Sequence, residues 1–268
     1  MVADREEIQR FQGLWQGGYY EGDPLNPVSE SSYGELGYVS VLYAVYQACV
    51  RPYIDSETIV AEIGPGRGAW TKTLLPAKEI WCLDAVSAED NHFWEYIGTE
   101  NKEKVNYLQV QDFSCKDLPD DYFHFLFSFG VFCHITWEGQ CEYYRNLFPK
   151  MQAGAMGMVM ISDFDKYNAA VRNLNQLRVR RVGPDPILHS LNDAASYVEQ
   201  FRKGCNSLYG NWVELDKNDP STTPGRWYHA GVQETCEMLE SIGWEVLEPD
   251  VGLCLRDPIV CFRKPIWP

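Results

Sequence analysis

The sequence predicts an α/β fold, doubly wound, with a seven-stranded and mostly parallel sheet. Three observations carry this. Strand-like and helix-like stretches alternate from about residue 58 to 165, the order expected when helices cross over between parallel strands. The first strand runs into a loop with glycines at 64, 66 and 68, and acids stand at the ends of the next two strands, Asp84 and Asp112. The chain ends in two strand-like runs joined by a short link, which pair as a hairpin at a sheet edge.

The elements follow in order. Residues 1–57 form an N-terminal cover. It holds a short amphipathic piece, a loop "GGYYEGDPLNPVSESSYGELG" and a helix over 35–54 that Pro52 ends. "TIVAEIG" is a buried strand bounded by glycine. "RGAWTKTLLPA" is a helix, "EIWCLDAV" a strand, "EDNHFWEYIGT" a helix and "VNYLQVQDF" a strand. "YFHFLFSFGVF" is the fourth strand, "TWEGQCEYYRNLFPKM" a helix stopped near Gly154, and "AMGMVMISDF" the fifth strand. From about 166 to 228 the rhythm fails, and this segment reads as an insertion that caps the sheet, with helical stretches in "NAAVRNLNQLRVRRVG" and "LNDAASYVEQFRKGC". The helix "VQETCEMLESIG" then returns to the sheet, with Gly243 just past its end. Residues 58–268 are thus one domain carrying an insertion.

Composition narrows the function. Of 268 residues 45% are hydrophobic and 14% aromatic, enough to bury a core, and the net charge is −15. That balance opposes broad nucleic-acid binding, which needs a basic face against phosphates. The nine cysteines are scattered and never spaced C-x-x-C, so no zinc or redox framework is expected. Neither an apolar leader nor a membrane-spanning run stands out, and a cytoplasmic protein is expected.

The glycine loop "VAEIGPGRGAW" poses a choice of ligand. Gly64, Gly66 and Gly68 let the backbone turn tightly and approach a ligand closely. Gly64-x-Gly66-x-x-Ala69 fits the dinucleotide fingerprint, and Asp84 follows Gly64 by 20 residues, placed to accept from ribose hydroxyls. Glu62 separates the options: a carboxylate there repels a pyrophosphate but favours the cationic sulfonium and ammonium of S-adenosylmethionine.

On these residues the chain resembles class I S-adenosylmethionine-dependent methyltransferases, whose fold is Rossmann-like with a reversed last strand. "AEIGPGRG" is similar to their first motif, which implies that Glu62, Gly64, Pro65, Gly66 and Gly68 hold the cofactor. "CLDAV" is similar to the second, with Asp84 on the ribose and Ala85 beside it. "VQDF" is similar to the third, which implies Asp112 on the adenine amino group and Phe113 against the ring. "FLFSFGVFCHI" resembles the fourth strand and its loop, and brings Ser128 and Phe129 to the cofactor. Tyr19 or Tyr20 would meet its methionine end. The late "RWYHAGVQETCEMLESIGWEV" adds a likeness to small-molecule O-methyltransferases of sugar and natural-product pathways. Ser128, Phe129, Gly130 and Val131 stand where N-methyltransferases of bases and glutamine carry an N/D-P-P-Y tetrad.

The resemblance implies methyl transfer to a hydroxyl of a small molecule, a sugar or secondary metabolite, with one base near the methyl. His134, just past the fourth strand, is the first candidate, since histidine titrates near neutrality. Asp163, at the end of the fifth strand, would be the base, orient His134 or bind a metal with Asp165; two acids two apart are a weak signal, and no metal is expected. His229 is the third candidate, and Arg226, Trp227 and Tyr228 are expected to line the substrate pocket. Arg178, Arg180 and Arg181 are either a substrate contact or a solvated helix face. The alternatives are an N-methyltransferase on a small amine or peptide, an NAD(P)-dependent reductase, and a binding protein without turnover. The partners expected are a small-molecule substrate, no nucleic acid and no membrane. Oligomeric state stays open, with the aromatic-rich insertion as the face a homodimer would use.

Overall fold

A computed structural model describes residues 2–15, 17–18, 22–27, 40–180, 214–217, 227–254 and 257–266. The strands are β1 (Ile59–Ile63), β2 (Glu79–Asp84), β3 (Val105–Gln109), β4 (Phe123–Ser128), β5 (Met151–Met160), β6 (Glu245–Glu248) and β7 (Ile259–Arg263). They form one seven-stranded sheet in the order β3-β2-β1-β4-β5-β7-β6. β1 to β5 pair in parallel, and β7 runs antiparallel to both β5 and β6. The expected α/β architecture and reversed last strand are both present.

The described helices are α1 (Val2–Leu14), α2 (Val41–Val45), α3 (Thr71–Leu74), α4 (Phe93–Ile97), α5 (Trp137–Leu147), α6 (Phe164–Arg180) and α7 (Val232–Ile242). The sheet is buried on both faces, as a parallel sheet requires. Along β1, Ile59, Ala61 and Ile63 enter a core with Phe123, Tyr144 and Phe262, while Val60 faces a second core with Trp70, Ile80 and Phe125. The alternation follows from the two-residue period of a strand.

Several elements differ from the sequence reading, each for a local reason. The helix expected over 67–77 starts only at Thr71, because Gly66 and Gly68 hold φ +53° and +100°, outside helical space. α4 starts at Phe93 because His92 before it is left-handed at φ 52°. Gly154 does not stop a helix. It lies inside β5 at φ +84°, beside a register shift against β4 between Phe123 and Phe125. Pro149, in a 3₁₀ turn over Phe148–Lys150, follows the end of α5 instead. α2 widens into a π-helical turn over Tyr46–Val50 and then a 3₁₀ turn over Arg51–Tyr53, so Pro52 lies past the α-helix. α6 begins at Phe164, four residues before the stretch assigned to it, because Asp163 caps it. Most of the cap insertion, including His189 and Arg181, lies outside the described residues.

The N-terminal cover packs on the sheet's carboxyl edge. Ile8 on α1 is 1% exposed and shares the core of Ile63 and Phe113. Buried Glu7 accepts two hydrogen bonds from Thr136, at 2.6 Å from its N–H and 2.7 Å from its hydroxyl. Among the described residues no helix is long and apolar enough to cross a membrane, and the eight described cysteines are all free thiols.

Gly157 in β5 lies under the buried Phe262 ring, where an added Cβ would come within 2.3 Å of it. Overpacking of this kind costs about 1–3 kcal/mol. Gly157→Ala should therefore melt several degrees below the wild type by circular dichroism. An unchanged melting temperature would mean that Phe262 moves aside freely.

Candidate active site

Strand order reverses direction at β1. The chain winds from β1 outward through β2 and β3, then returns to place β4 on the other side. Such a switch point leaves a crevice beyond the carboxyl ends of the strands, where open α/β sheets bind ligands. A cleft opens there, between the glycine loop after β1, the end of β2, the loop after β4 and α1.

The floor is glycine. Gly64 has φ +71°, and a Cβ on it would meet Val131 at 2.2 Å, so the loops after β1 and β4 touch only because this residue has no side chain. Gly68 does not line the cleft. A Cβ there would meet Ile97 at 2.5 Å, so it serves close packing against α4. Pro65, Gly66 and Ala69 line the wall.

Asp84 stands at the end of β2 on the cleft wall. Its Oδ2 accepts from the Gly66 N–H at 3.0 Å and its Oδ1 from the Val86 N–H at 2.9 Å. The carboxylate therefore shapes the glycine loop and still has lone pairs for a ligand. Burial pushes its pKa up to about 6, against the hydrogen bonds that lower it. Buried Asn91, also on the wall, donates to the Tyr107 hydroxyl at 2.7 Å. Beside Asp84 the lining is apolar: Ala85, Val110, Phe113 and Tyr143.

Glu62 takes a different place from the one expected. Its neighbour Ile63 lines the cleft, so strand alternation turns Glu62 to the opposite face. There it is 2% exposed and accepts from the Thr71 hydroxyl at 2.7 Å and the Cys82 thiol at 3.3 Å. Burial pushes its pKa up to about 7. The sulfonium argument made for it from sequence does not match this placement: Glu62 acts on the loop, binding its exit at Thr71 to its entry at β1.

Asp112 lies outside the cleft wall, in a smaller depression next to it. Its Oδ1 accepts from the Ser114 N–H and hydroxyl, and Lys116 stands at 3.9 Å. Ser128 is buried and donates to the Ile63 carbonyl at 3.0 Å, tying β4 to β1. Phe129 lines the cleft against Trp70, ring centroids 4.7 Å apart.

Of the three acid–base candidates, His134 alone reaches the cleft. It sits on a 3₁₀ turn over Phe132–His134, which a buried Gln140 amide holds through the Phe132 and Ile135 carbonyls. Asp163 has both oxygens bound elsewhere: Oδ1 caps α6 at the Lys166 N–H, and Oδ2 receives the Val232 N–H at the start of α7. Its partner in the metal idea, Asp165, faces Lys217. His229 accepts from the Phe164 N–H at Nδ1, so the proton sits on Nε2, which is buried without a hydrogen-bond partner. Burial and then the Lys217 charge push its pKa below the ordinary histidine value, which keeps it neutral. His124 and His92 are also structural, the first accepting from the Ile59 N–H and the second beside Glu95 on the surface. Trp227 packs 6.2 Å from the His134 ring, and the Tyr228 N–H donates to the Cys133 carbonyl. Tyr19, Tyr20 and Arg226 lie outside the described residues.

Sequence reasoning assigned no wall residue to α1, yet Ile8 and Phe11 on it and Trp15 just past its end roof the cleft. Asn91, Trp70 and Tyr143 were also missed. The signal available was the amphipathic spacing Ile8, Phe11, Trp15, one helix face.

No family model matches this chain, and no curated protein matches it. Solved structures do. The chain is similar to an S-adenosylmethionine-dependent methyltransferase from Mesorhizobium loti, at 15% identity over 84% of this chain and 98% of that one, TM-score 0.51. It is similar also to a methyltransferase of the same cofactor class from Aquifex aeolicus, at 13% identity over 97% and 98%, TM-score 0.50. At this identity the likeness is one of fold. The chain has the Rossmann-like α/β fold of those methyltransferases, with its cleft at the switch point.

Glu62 gives a test of how the loop is held. Its pKa lies above the ordinary carboxylate value, so the folded chain binds the proton more tightly than the unfolded one. Stability is then lost as pH rises from about 4.5 to about 7. Glu62→Gln keeps an acceptor for Thr71 without the charge. It should be more stable than the wild type at pH 8, by about 3 kcal/mol, with the gap closing at pH 5. Equal differences in urea midpoint at both pH values would contradict this account.

Proposed function

We propose that the chain is an S-adenosylmethionine-dependent methyltransferase that delivers the methyl to a hydroxyl of a small molecule. The observation that carries it is the cleft's wall chemistry: among the described residues, one carboxylate at the end of β2, glycines opposite it, Asn91 and His134, aromatic and aliphatic surface elsewhere, and no lysine or arginine. A pyrophosphate needs donors at a helix N-terminus, and here the helix begins only at Thr71, five residues past Gly66. A cationic sulfonium suits a carboxylate and aromatic faces.

The residues fit that cofactor. Asp84 accepts from the ribose hydroxyls while it holds Gly66. Ala85, Val110 and Phe113 form an apolar bay for the base. Gly64 lets the methionine chain pass close to the backbone. Roofing by Ile8, Phe11 and Trp15 excludes water. Bound there, S-adenosylmethionine supplies an electrophilic methyl. His134 takes the proton of the acceptor hydroxyl, and the cleft holds that oxygen in line with the methyl.

Calorimetric titration with S-adenosylhomocysteine should show binding tighter than about 1 mM, or about −4 kcal/mol; absence of binding would end this reading. Because the Asp84 carboxylate titrates near 6, affinity should fall about tenfold per unit below pH 6. Asp84→Asn should bind at least tenfold more weakly at pH 8 and lose that pH dependence. If the pH profile survives in Asp84→Asn, the ribose site lies elsewhere.

His134→Gln should lower kcat by ~10²–10⁴ toward a hydroxyl acceptor while S-adenosylhomocysteine still binds. A variant that methylates an amine at the wild-type rate would favour N-methyl transfer instead.

A further inference from the structure

We infer that Asn91 and Tyr107 are positioning residues for the cofactor: through one chain of hydrogen bonds from β3 they hold the Asp84 carboxylate as the acceptor that meets the ribose. This rests on the methyltransferase reading and deepens it by naming what prepares the ribose site.

The chain of bonds is closed. The Val86 N–H donates to Asp84 Oδ1 at 2.9 Å, the Tyr107 hydroxyl donates to the Val86 carbonyl at 2.8 Å, and Asn91 Nδ2 donates to the Tyr107 hydroxyl at 2.7 Å. The same Asn91 amide acts on Asp84 as a hydrogen-bond donor. An amide nitrogen carries two hydrogens at a fixed angle, so one side chain serves a phenol and a carboxylate together. Asn91 is 1% exposed and lines the cleft, so its amide has given up water for these partners. Burial holds the Tyr107 phenol above its ordinary pKa, which keeps its proton for Val86.

Both side chains are set by the fold. Tyr107 pairs with Cys82 in the parallel ladder of β3 and β2, and Cys82 stands two residues before Asp84. The Tyr107 ring meets Phe93, the first residue of α4, at 4.8 Å between centroids. Asn91 stands two residues before Phe93. Its turn is closed by its own N–H on the Ser87 carbonyl at 3.0 Å and by the Phe93 N–H on the Ala88 carbonyl at 2.9 Å. His92 between them is left-handed at φ 52°, a conformation a non-glycine residue keeps only where its neighbours over-determine it. One tyrosine thus supports the helix start with its ring and the amide with its hydroxyl.

Asp84 needs that support because its surroundings oppose its charge. Burial raises its pKa to about 6. Facing it are Glu62 on β1, Cys82 on its own strand, Tyr107 on β3 and Tyr143 on α5, each an acid whose charge would repel it. From the loops, Arg67 turns its guanidinium to the Gly17 carbonyl, and His134 lines the same cleft. What favours the carboxylate is its donors. Val86, Gly66 and Ala85 give backbone N–H groups, which a side-chain substitution leaves in place, whereas Asn91 gives a side chain. A carboxylate accepts from both ribose hydroxyls, while a protonated carboxyl spends one oxygen as a donor.

The test reads Asp84 directly. In the full chain without ligand, carbon-13 NMR of the Asp84 carboxyl should show a titration near 6 in the wild type. In Asn91→Leu, which removes both N–H donors, it should lie about one pH unit higher. Tyr107→Phe should move it the same way by less, and the double variant should match Asn91→Leu alone, because Tyr107 acts through Asn91. S-adenosylhomocysteine affinity should follow: the ratio of the Asn91→Leu Kd to the wild-type Kd should grow about tenfold from pH 8.5 to pH 5. An unmoved Asp84 titration, or a Kd ratio constant across pH, would overturn this inference and leave the methyltransferase reading standing. If circular dichroism shows Asn91→Leu unfolded, Tyr107→Phe decides by the same two readings. Failure of the wild-type chain to bind S-adenosylhomocysteine at any pH would overturn both.

Discussion

A carboxylate without water, Glu62, holds the two ends of the glycine loop together. It stands on the middle strand of the sheet, and Thr71 and Cys82 reach it from the first helix past the loop and from the neighbouring strand. Burial outweighs the two hydrogen bonds and disfavours the charged carboxylate by about 3 kcal/mol net. In return the loop's exit is fixed over its entry, and the backbone between them must take the left-handed turns that its glycines permit. Asp84 then completes the shape from the next strand by binding Gly66. Two acids of opposite placement thus make one surface: Glu62 behind the loop, Asp84 in front of it.

The rest of the cleft hangs on this frame through long-range contacts. Val131 fits into the space left by the missing side chain of Gly64, which sets the height of the loop after β4 and so of the turn carrying His134. Asp163 ties the starts of α6 and α7 to the end of the fifth strand. The segment holding Trp227 and Tyr228 leads directly into that second helix, so one buried carboxylate fixes the segment that packs behind His134.

The fold was readable because its strands are buried on both faces and so appear as unbroken apolar runs between glycines and acids. Asp84, Gly64, Phe113, Phe129 and His134 were readable on the cleft wall because they close strands or follow them directly. Glu62, Asp163 and His229 do not line the cleft where they were expected, for one shared reason. Proximity to a strand's end says that a side chain is near the rim, but the face it points to depends on a two-residue alternation and on which partners it meets. Ile8, Phe11, Asn91 and Tyr143 stayed hidden because they come to the cleft from elements far away in sequence. The helix starts slipped where a positive φ at Gly68 or His92 delayed the first turn, which composition does not encode for histidine.

The bond between Glu7 and Thr136 spans 129 residues of sequence. It ties the roof to the loop after β4 from outside the sheet, so the strand ladders do not depend on it. Lifting α1 leaves those ladders intact, and roof and floor are held by separate sets of bonds.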